Sequence, residues 1–143
     1  MPARLVIPRI GVDAPVEAVG RDQRNNMAVP SVPTHVAWYS SGPAPGEAGD
    51  AVIDGHLDWT TGPAVFWNLG KLHAGDEIQV VAQDGAVVRF SVTQAKQVPY
   101  TQPPPGLFVP TGPAHLSLIT CAGAWDAGKR MYQQRLVVDS APM

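Results

Sequence analysis

Cys121 is the only cysteine in this 143-residue chain. It stands at the end of an apolar run, in Leu118-Ile119-Thr120-Cys121-Ala122-Gly123. A lone cysteine in such a run is either a buried small hydrophobe or a nucleophile. The junction between a strand and small residues favours the nucleophile, because alanine and glycine leave room for a substrate carbonyl beside the sulfur. A thiol nucleophile needs a partner that takes its proton. Four histidines are available: His35, His56, His73 and His115. His56 leads, since it follows an apolar strand in Ile53-Asp54-Gly55-His56-Leu57-Asp58. Gly55 would permit an unusual backbone angle, and Asp58 could orient the ring. His73, beside Lys71, reads as a solvated surface residue, and so do His35 and His115 in their proline-flanked loops.

Acyl transfer through a thioester passes through an oxyanion that must be stabilised. A guanidinium supplies fixed donors and never loses its charge. Arg130 and Arg135 both follow Cys121. Arg130 lies in the polar run Gly128-Lys129-Arg130 and reads as a solvated loop charge, whereas Arg135 opens the apolar strand Arg135-Leu136-Val137-Val138.

The elements that must position these residues are short strands. Proline (15) and glycine (14) punctuate brief apolar runs throughout, the signature of many strands and turns. Leu5-Val6-Ile7, Ala51-Val52-Ile53, Ile78 to Ala82, Val87 to Val92, Leu116 to Cys121 and Arg135 to Val138 read as strands. Val88, Phe90 and Val92 alternate with Arg89 and Ser91, so that strand has one wet face. Ile119 shares a face with Cys121 on the same alternation. Val65, Phe66, Leu69 and Leu72 have the spacing of a short helix or helical turn. Val98 to His115, with six prolines, reads as a long stiffened loop, and Ala122 to Gln133 as a second loop containing Trp125. One β-rich domain over residues 1–143 is expected, as a closed barrel, because closure removes edge strands.

Composition excludes several functions. The net charge is −2, and no basic run or basic–aromatic stripe is present, so nucleic acid is not an expected partner. No apolar stretch approaches the length of a membrane span, and Met1 to Ala14 lacks the pattern of a secretion signal. A single cysteine cannot form an internal disulfide.

Taken in order, these motifs resemble the sortases, a family of cysteine transpeptidases. Gly55-His56 after a strand, Phe66-x-x-Leu69-x-x-Leu72-x-x-Gly75-Asp76, Leu118-x-Thr120-Cys121 and the terminal Arg135-Leu-Val-Val each match a family segment. Leu5 to Val16, Trp38-Tyr39, Gly42 to Gly46, Gly55-His56-Leu57-Asp58 and Thr61 to Phe66 are most similar to classes E and F, with a lean to class F. The resemblance implies a mainly β fold, a closed eight-stranded barrel with one or two short helices. It implies a catalytic set of His56, Cys121 and Arg135, with Thr120 as a substrate-binding helper, and neither metal nor cofactor.

The implied substrate is a Leu-Pro-x-Thr-Gly-like sorting signal of a secreted protein, cut at Thr–Gly. The implied acceptor is an amine such as a peptidoglycan precursor or a pilin lysine. The Val98–His115 loop would bind the signal's proline, and the 122–134 loop with Trp125 would flank the scissile bond. A monomer is expected, at the extracellular face of a bacterial membrane, with the family's N-terminal anchor missing from this chain. Asp54 departs from the small residue that usually precedes Gly-His. The competing readings are a cysteine peptidase, an L,D-transpeptidase-like enzyme on peptidoglycan stems, and a non-catalytic β-barrel module.

Overall fold

The structure is a computed structural model. It describes residues 1–23, 26–99, 107–126, 128 and 131–143, with backbone alone for 121–126 and 131–133. Ten strands follow in chain order: β1 (Pro2–Ile7), β2 (Val12–Val19), β3 (Val36–Tyr39), β4 (Asp50–Gly55), β5 (Asp58–Trp59), β6 (Gly62–Pro63), β7 (Glu77–Ala82), β8 (Val87–Pro99), β9 (His115–Asp126) and β10 (Met131–Pro142). Eight of them close a barrel in the order β1-β2-β3-β4-β9-β10-β8-β7, while β5 and β6 form a separate two-stranded ribbon. The pairs β2–β3 and β4–β9 are parallel, and the remaining neighbours are antiparallel. The expected eight-stranded closed barrel is therefore the observed fold.

Alternation fills the barrel. Leu5, Ile7, Ile53, Ile78, Phe90, Leu116, Leu118 and Val138 are fully buried in one inner cluster. Large side chains of this kind each contribute about 1.5–3 kcal/mol on full burial. Strands β4, β9 and β10 bury both faces. Val52, Ile119 and Val137 form a second cluster on the outer wall, covered by Met27, Tyr39, Val98, Leu107 and Phe108. This two-sided burial explains why these three strands read as unbroken apolar runs.

The helical spacing of Val65 to Leu72 resolves into turns ending in a single 3-10 turn, Leu69–Lys71. Its purpose is burial, since Phe66, Leu69 and Leu72 all join the inner cluster. A second 3-10 turn, Pro8–Ile10, starts with proline at its first position, where no amide donor is needed. Three strands run further than their apolar cores. β8 extends to Pro99, and β9 and β10 continue to Asp126 and back from Met131 where a loop was expected. Partner pairing drives this: Tyr132 pairs with Trp125 and Gln134 with Ala122, so backbone groups are satisfied without apolar periodicity. His115 consequently opens β9 and does not sit in a loop.

Gly55 is required for space. Its backbone does not adopt a positive φ, contrary to the angle expected of it. A Cβ there would stand 2.8 Å from Phe66 Cδ2 and 2.9 Å from Val65 Cγ1. The Phe66 amide donates to the His56 carbonyl at 3.0 Å, which holds that close approach in place. Gly55→Ala is expected to lower stability by about 1–3 kcal/mol through overpacking. Urea denaturation measures it, and Phe66→Leu in a double-mutant cycle should return part of the loss.

Candidate active site

Two hydrogen-bond ladders bring the candidate residues to one end of the sheet. The parallel β4–β9 register pairs Ile53 with Leu118 and Asp54 with Ile119. Carried on by two places, it sets His56, one residue beyond β4, level with Cys121. A hydrogen bond secures this level: Thr120 Oγ1 donates to the Gly55 carbonyl at 2.8 Å. The antiparallel β9–β10 register then sets Arg135 directly opposite Cys121. The Cys121 and Trp125 side chains, and the whole of Arg130, lie outside the described residues.

His56 is half-buried and its ring is held on two sides. The edge of Trp59 meets it at 4.8 Å between centroids and 70° between planes. Nε2 lies 2.9 Å from the carbonyl oxygen of Pro30. A carbonyl only accepts, so Nε2–H is the donor. In the neutral ring, the lone pair is then on Nδ1. The Nε2 side of the ring is thus oriented by a backbone carbonyl, and Asp58, read as a residue that could orient the ring, opens the exposed β5 ribbon.

Thr120 is buried at 4% exposure. Its hydroxyl is committed to Gly55, so it ties the ends of β4 and β9 together beneath the site. Of the remaining histidines, His73 is exposed, as expected. His35 and His115 are not free surface residues. Nδ1 of His35 lies 2.9 Å from Glu17 Oε2, and Nε2 of His115 lies 3.3 Å from Asp50 Oδ1. Their partners are distant in the chain, so local pattern carried no sign of them.

Two carboxylates on β4 behave differently. Asp50 is buried, but it accepts from Ser117 Oγ at 2.8 Å and from the Phe108 amide at 3.2 Å. Burial raises its carboxyl above the ordinary range, while the bonds from Ser117 and Phe108 and the nearby His115 act in the opposite direction. These bonds fix the base of the Val98–His115 segment. Phe108 has φ 64°, the one positive value among described non-glycine residues, and its ring packs edge-on against Tyr39 at 5.0 Å. Such a backbone persists only where its surroundings over-determine it.

Asp54, two residues before His56, has no such provision. Its Oδ1 is buried and has no hydrogen-bond partner among the described residues. Burial pushes its carboxyl well above the ordinary value, against the charge of Arg135 and its own backbone amide. No group of three or more metal-ligating side chains occurs among the described residues.

Comparison with known proteins bears on family and fold. The family model for the sortase domain matches residues 5–143, and the chain belongs to the sortase family. Among solved structures, sortase C1 from Streptococcus agalactiae superposes with a TM-score of 0.77 at 20% identity, covering 99% of this chain and 66% of that one. Sortase A from Corynebacterium diphtheriae gives 0.76 at 21% identity, covering 99% and 60%. A further structure of the Streptococcus agalactiae sortase C1 gives 0.74 at 27% identity, covering 98% and 66%. The chain thus spans about two thirds or less of the length of these structures. A comparison with curated proteins returns no match.

The raised carboxyl of Asp54 has a consequence for stability. A group whose folded pKa is raised favours folding while protonated, and that contribution is lost as pH rises from the unfolded value through the folded one. Asp54→Asn is therefore expected to stabilise the fold at pH 8, by about 1–3 kcal/mol, and to change little at pH 4. Thermal denaturation at both pH values checks this. An equal gain at both, or none at pH 8, would count against a buried ionisable Asp54.

Proposed function

We propose that this chain is the catalytic domain of a cysteine transpeptidase that cuts a Leu-Pro-x-Thr-Gly-like signal between threonine and glycine and passes the acyl group to an amine. The observation that carries the reading is the register: Cys121 stands opposite Arg135 across β9–β10, and level with His56 at the end of β4. Membership of the sortase family supports the same chemistry.

In this reading Nδ1 of His56 takes the Cys121 thiol proton, since Nε2 is occupied by the Pro30 carbonyl. The thiolate attacks the threonine carbonyl carbon and a C–S bond forms. Arg135, permanently charged, stabilises the oxyanion. The imidazolium returns its proton to the departing glycine amine as the C–N bond breaks, leaving a thioester. A second amine attacks that thioester, loses a proton to His56, and releases the thiol. Water in place of the amine gives hydrolysis. Thr120 supports the site by holding the Gly55 carbonyl, one residue before His56.

The signal's proline would lie against the segment rooted at Phe108, beside the outer cluster of Val52, Ile119 and Val137. The acceptor would be a peptidoglycan precursor or a pilin lysine, and the site of action the extracellular face of a bacterial membrane. The class E or F reading, with its lean to class F, rests on Leu5–Val16, Trp38-Tyr39, Gly42–Gly46, Gly55–Asp58 and Thr61–Phe66. No helix among the described residues is long and apolar enough to cross a membrane.

The test is turnover of a Leu-Pro-x-Thr-Gly peptide with an added amine, read by mass of the ligated product. Cys121→Ala should abolish ligation. Arg135→Ala should lower kcat/KM by about 10²–10³-fold, the usual loss for a removed oxyanion donor, while Arg130→Ala should stay within about twofold of the parent, as for a surface charge. Equal activity in Cys121→Ala would sink the assignment, and loss in Arg130→Ala with none in Arg135→Ala would overturn the choice of arginine.

A further inference from the structure

The group that orients His56 is a carbonyl in a connecting segment, and a carbonyl orients a ring only if its own position is fixed. Pro30 belongs to the connection between β2 and β3, and it is buried. Its neighbour Ser31 is bound twice to Glu17 on β2. The Ser31 amide donates to Glu17 Oε2 at 3.0 Å and to Oε1 at 3.3 Å, and Ser31 Oγ donates to Oε2 at 2.9 Å. His35, at the other end of the same turn, places Nδ1 2.9 Å from Oε2. One carboxylate therefore gathers three groups from residues 31–35.

The opposite side of this turn is fastened as well, because the Val65 amide donates to the Pro33 carbonyl at 3.0 Å. Glu17 itself sits on a paired barrel strand, opposite Ala37 of β3. The sequence of contacts runs from a rigid strand through Glu17 and Ser31 to the Pro30 carbonyl, and from there to Nε2 of His56. The Ser31 amide is the peptide N–H of the Pro30 carbonyl itself. Fixing that N–H fixes the plane of the peptide, and with it the direction of the carbonyl oxygen.

We propose that Glu17 is a positioning residue for His56, holding the Pro30–Ser31 peptide so that its carbonyl binds Nε2–H and Nδ1 faces the reaction. The proposal rests on the reading of His56 as the proton-transfer partner of Cys121. The chemistry of Glu17 suits the task. Its carboxylate accepts four hydrogen-bond contacts, and although burial opposes ionisation, the bonds from Ser31 and His35 hold its pKa below the ordinary range. It remains an anion at any pH where the thiol chemistry runs. Losing it leaves the peptide plane free to turn, and a small displacement of a proton-transfer group costs rate far more than binding.

The experiment is Glu17→Ala in the full chain, assayed in two ways. Steady-state ligation of the Leu-Pro-x-Thr-Gly peptide is expected to show kcat lowered roughly 10- to 100-fold with KM within about twofold. Nitrogen-15 NMR of the histidine rings is expected to show His56 leave the Nε2–H tautomer for a mixture of both. Asp13→Asn, which weakens the exposed Arg4–Asp13 pair on the same part of the barrel, controls for general loosening and should leave both readouts unchanged. Should Glu17→Ala fail to fold, Glu17→Gln and Ser31→Ala carry the same readouts, each with a smaller shift in the same direction. Unchanged His56 signals in the folded variants would overturn the clamp. So would changed signals with undiminished kcat in a protein that His56→Ala inactivates. Full activity in His56→Ala would overturn the underlying reading of His56 instead.

Discussion

The parallel pairing of β4 with β9 is the constraint on which the rest depends. A parallel ladder holds residues of two strands level however long the chain between them, and here it does so where β4 ends, while β9 continues to Asp126. His56 leaves one strand at the level of Cys121 in the other. Because β10 runs back along β9, Arg135 arrives at the same level from the opposite direction. The backbones of the three candidate residues are thus brought level by the ladders of a closed barrel. The Thr120 hydroxyl ties that meeting point to the Gly55 carbonyl, and the fit of Phe66 and Val65 over Gly55 excludes any side chain there.

Two aspartates on β4 show how unevenly the site face is finished. Asp50 and Asp54 lie four residues apart on a strand where alternate positions share a face. The first accepts from Ser117 and Phe108 and lies 3.3 Å from the His115 ring, and it organises the segment above it. The second keeps an oxygen without a partner, near the charge of Arg135. A buried carboxylate oxygen without a partner costs stability, and its place beside the candidate residues is the kind of local conflict that functional sites carry.

The sequence made legible those features that repeat locally. Alternation in Val88-Arg89-Phe90-Ser91-Val92 identified a one-sided strand, and the apolar runs around Ile53, Leu118 and Val137 marked strands, whose burial on both faces only the structure revealed. The sequence sets Arg135 apart from Arg130 as the opening residue of the last strand, yet it lies inside β10, which already begins at Met131. Other features had no local sign. The strands around Ala122 to Asp126 and Met131 to Gln134 lack apolar periodicity and exist because they pair with one another. His35 and His115 looked like surface residues because Glu17 and Asp50 lie far along the chain. The role of Gly55 was misjudged for a similar reason, since the atoms that crowd it belong to Phe66 and Val65. The Pro30 carbonyl, being backbone, could not be read from side-chain identity at all.

Phe108 bears on how such a domain could be re-engineered. Its left-handed backbone, its ring against Tyr39 and its amide on Asp50 clamp the chain at a fixed point just before β9. On the other side, β8 is locked into the barrel as far as Pro99. Two such anchored points fix where the chain between them must leave and return. Closing a chain between fixed points costs entropy that grows only logarithmically with its length, so the barrel's register is left to the strands themselves. Sequence changes confined to that interval leave both junctions untouched.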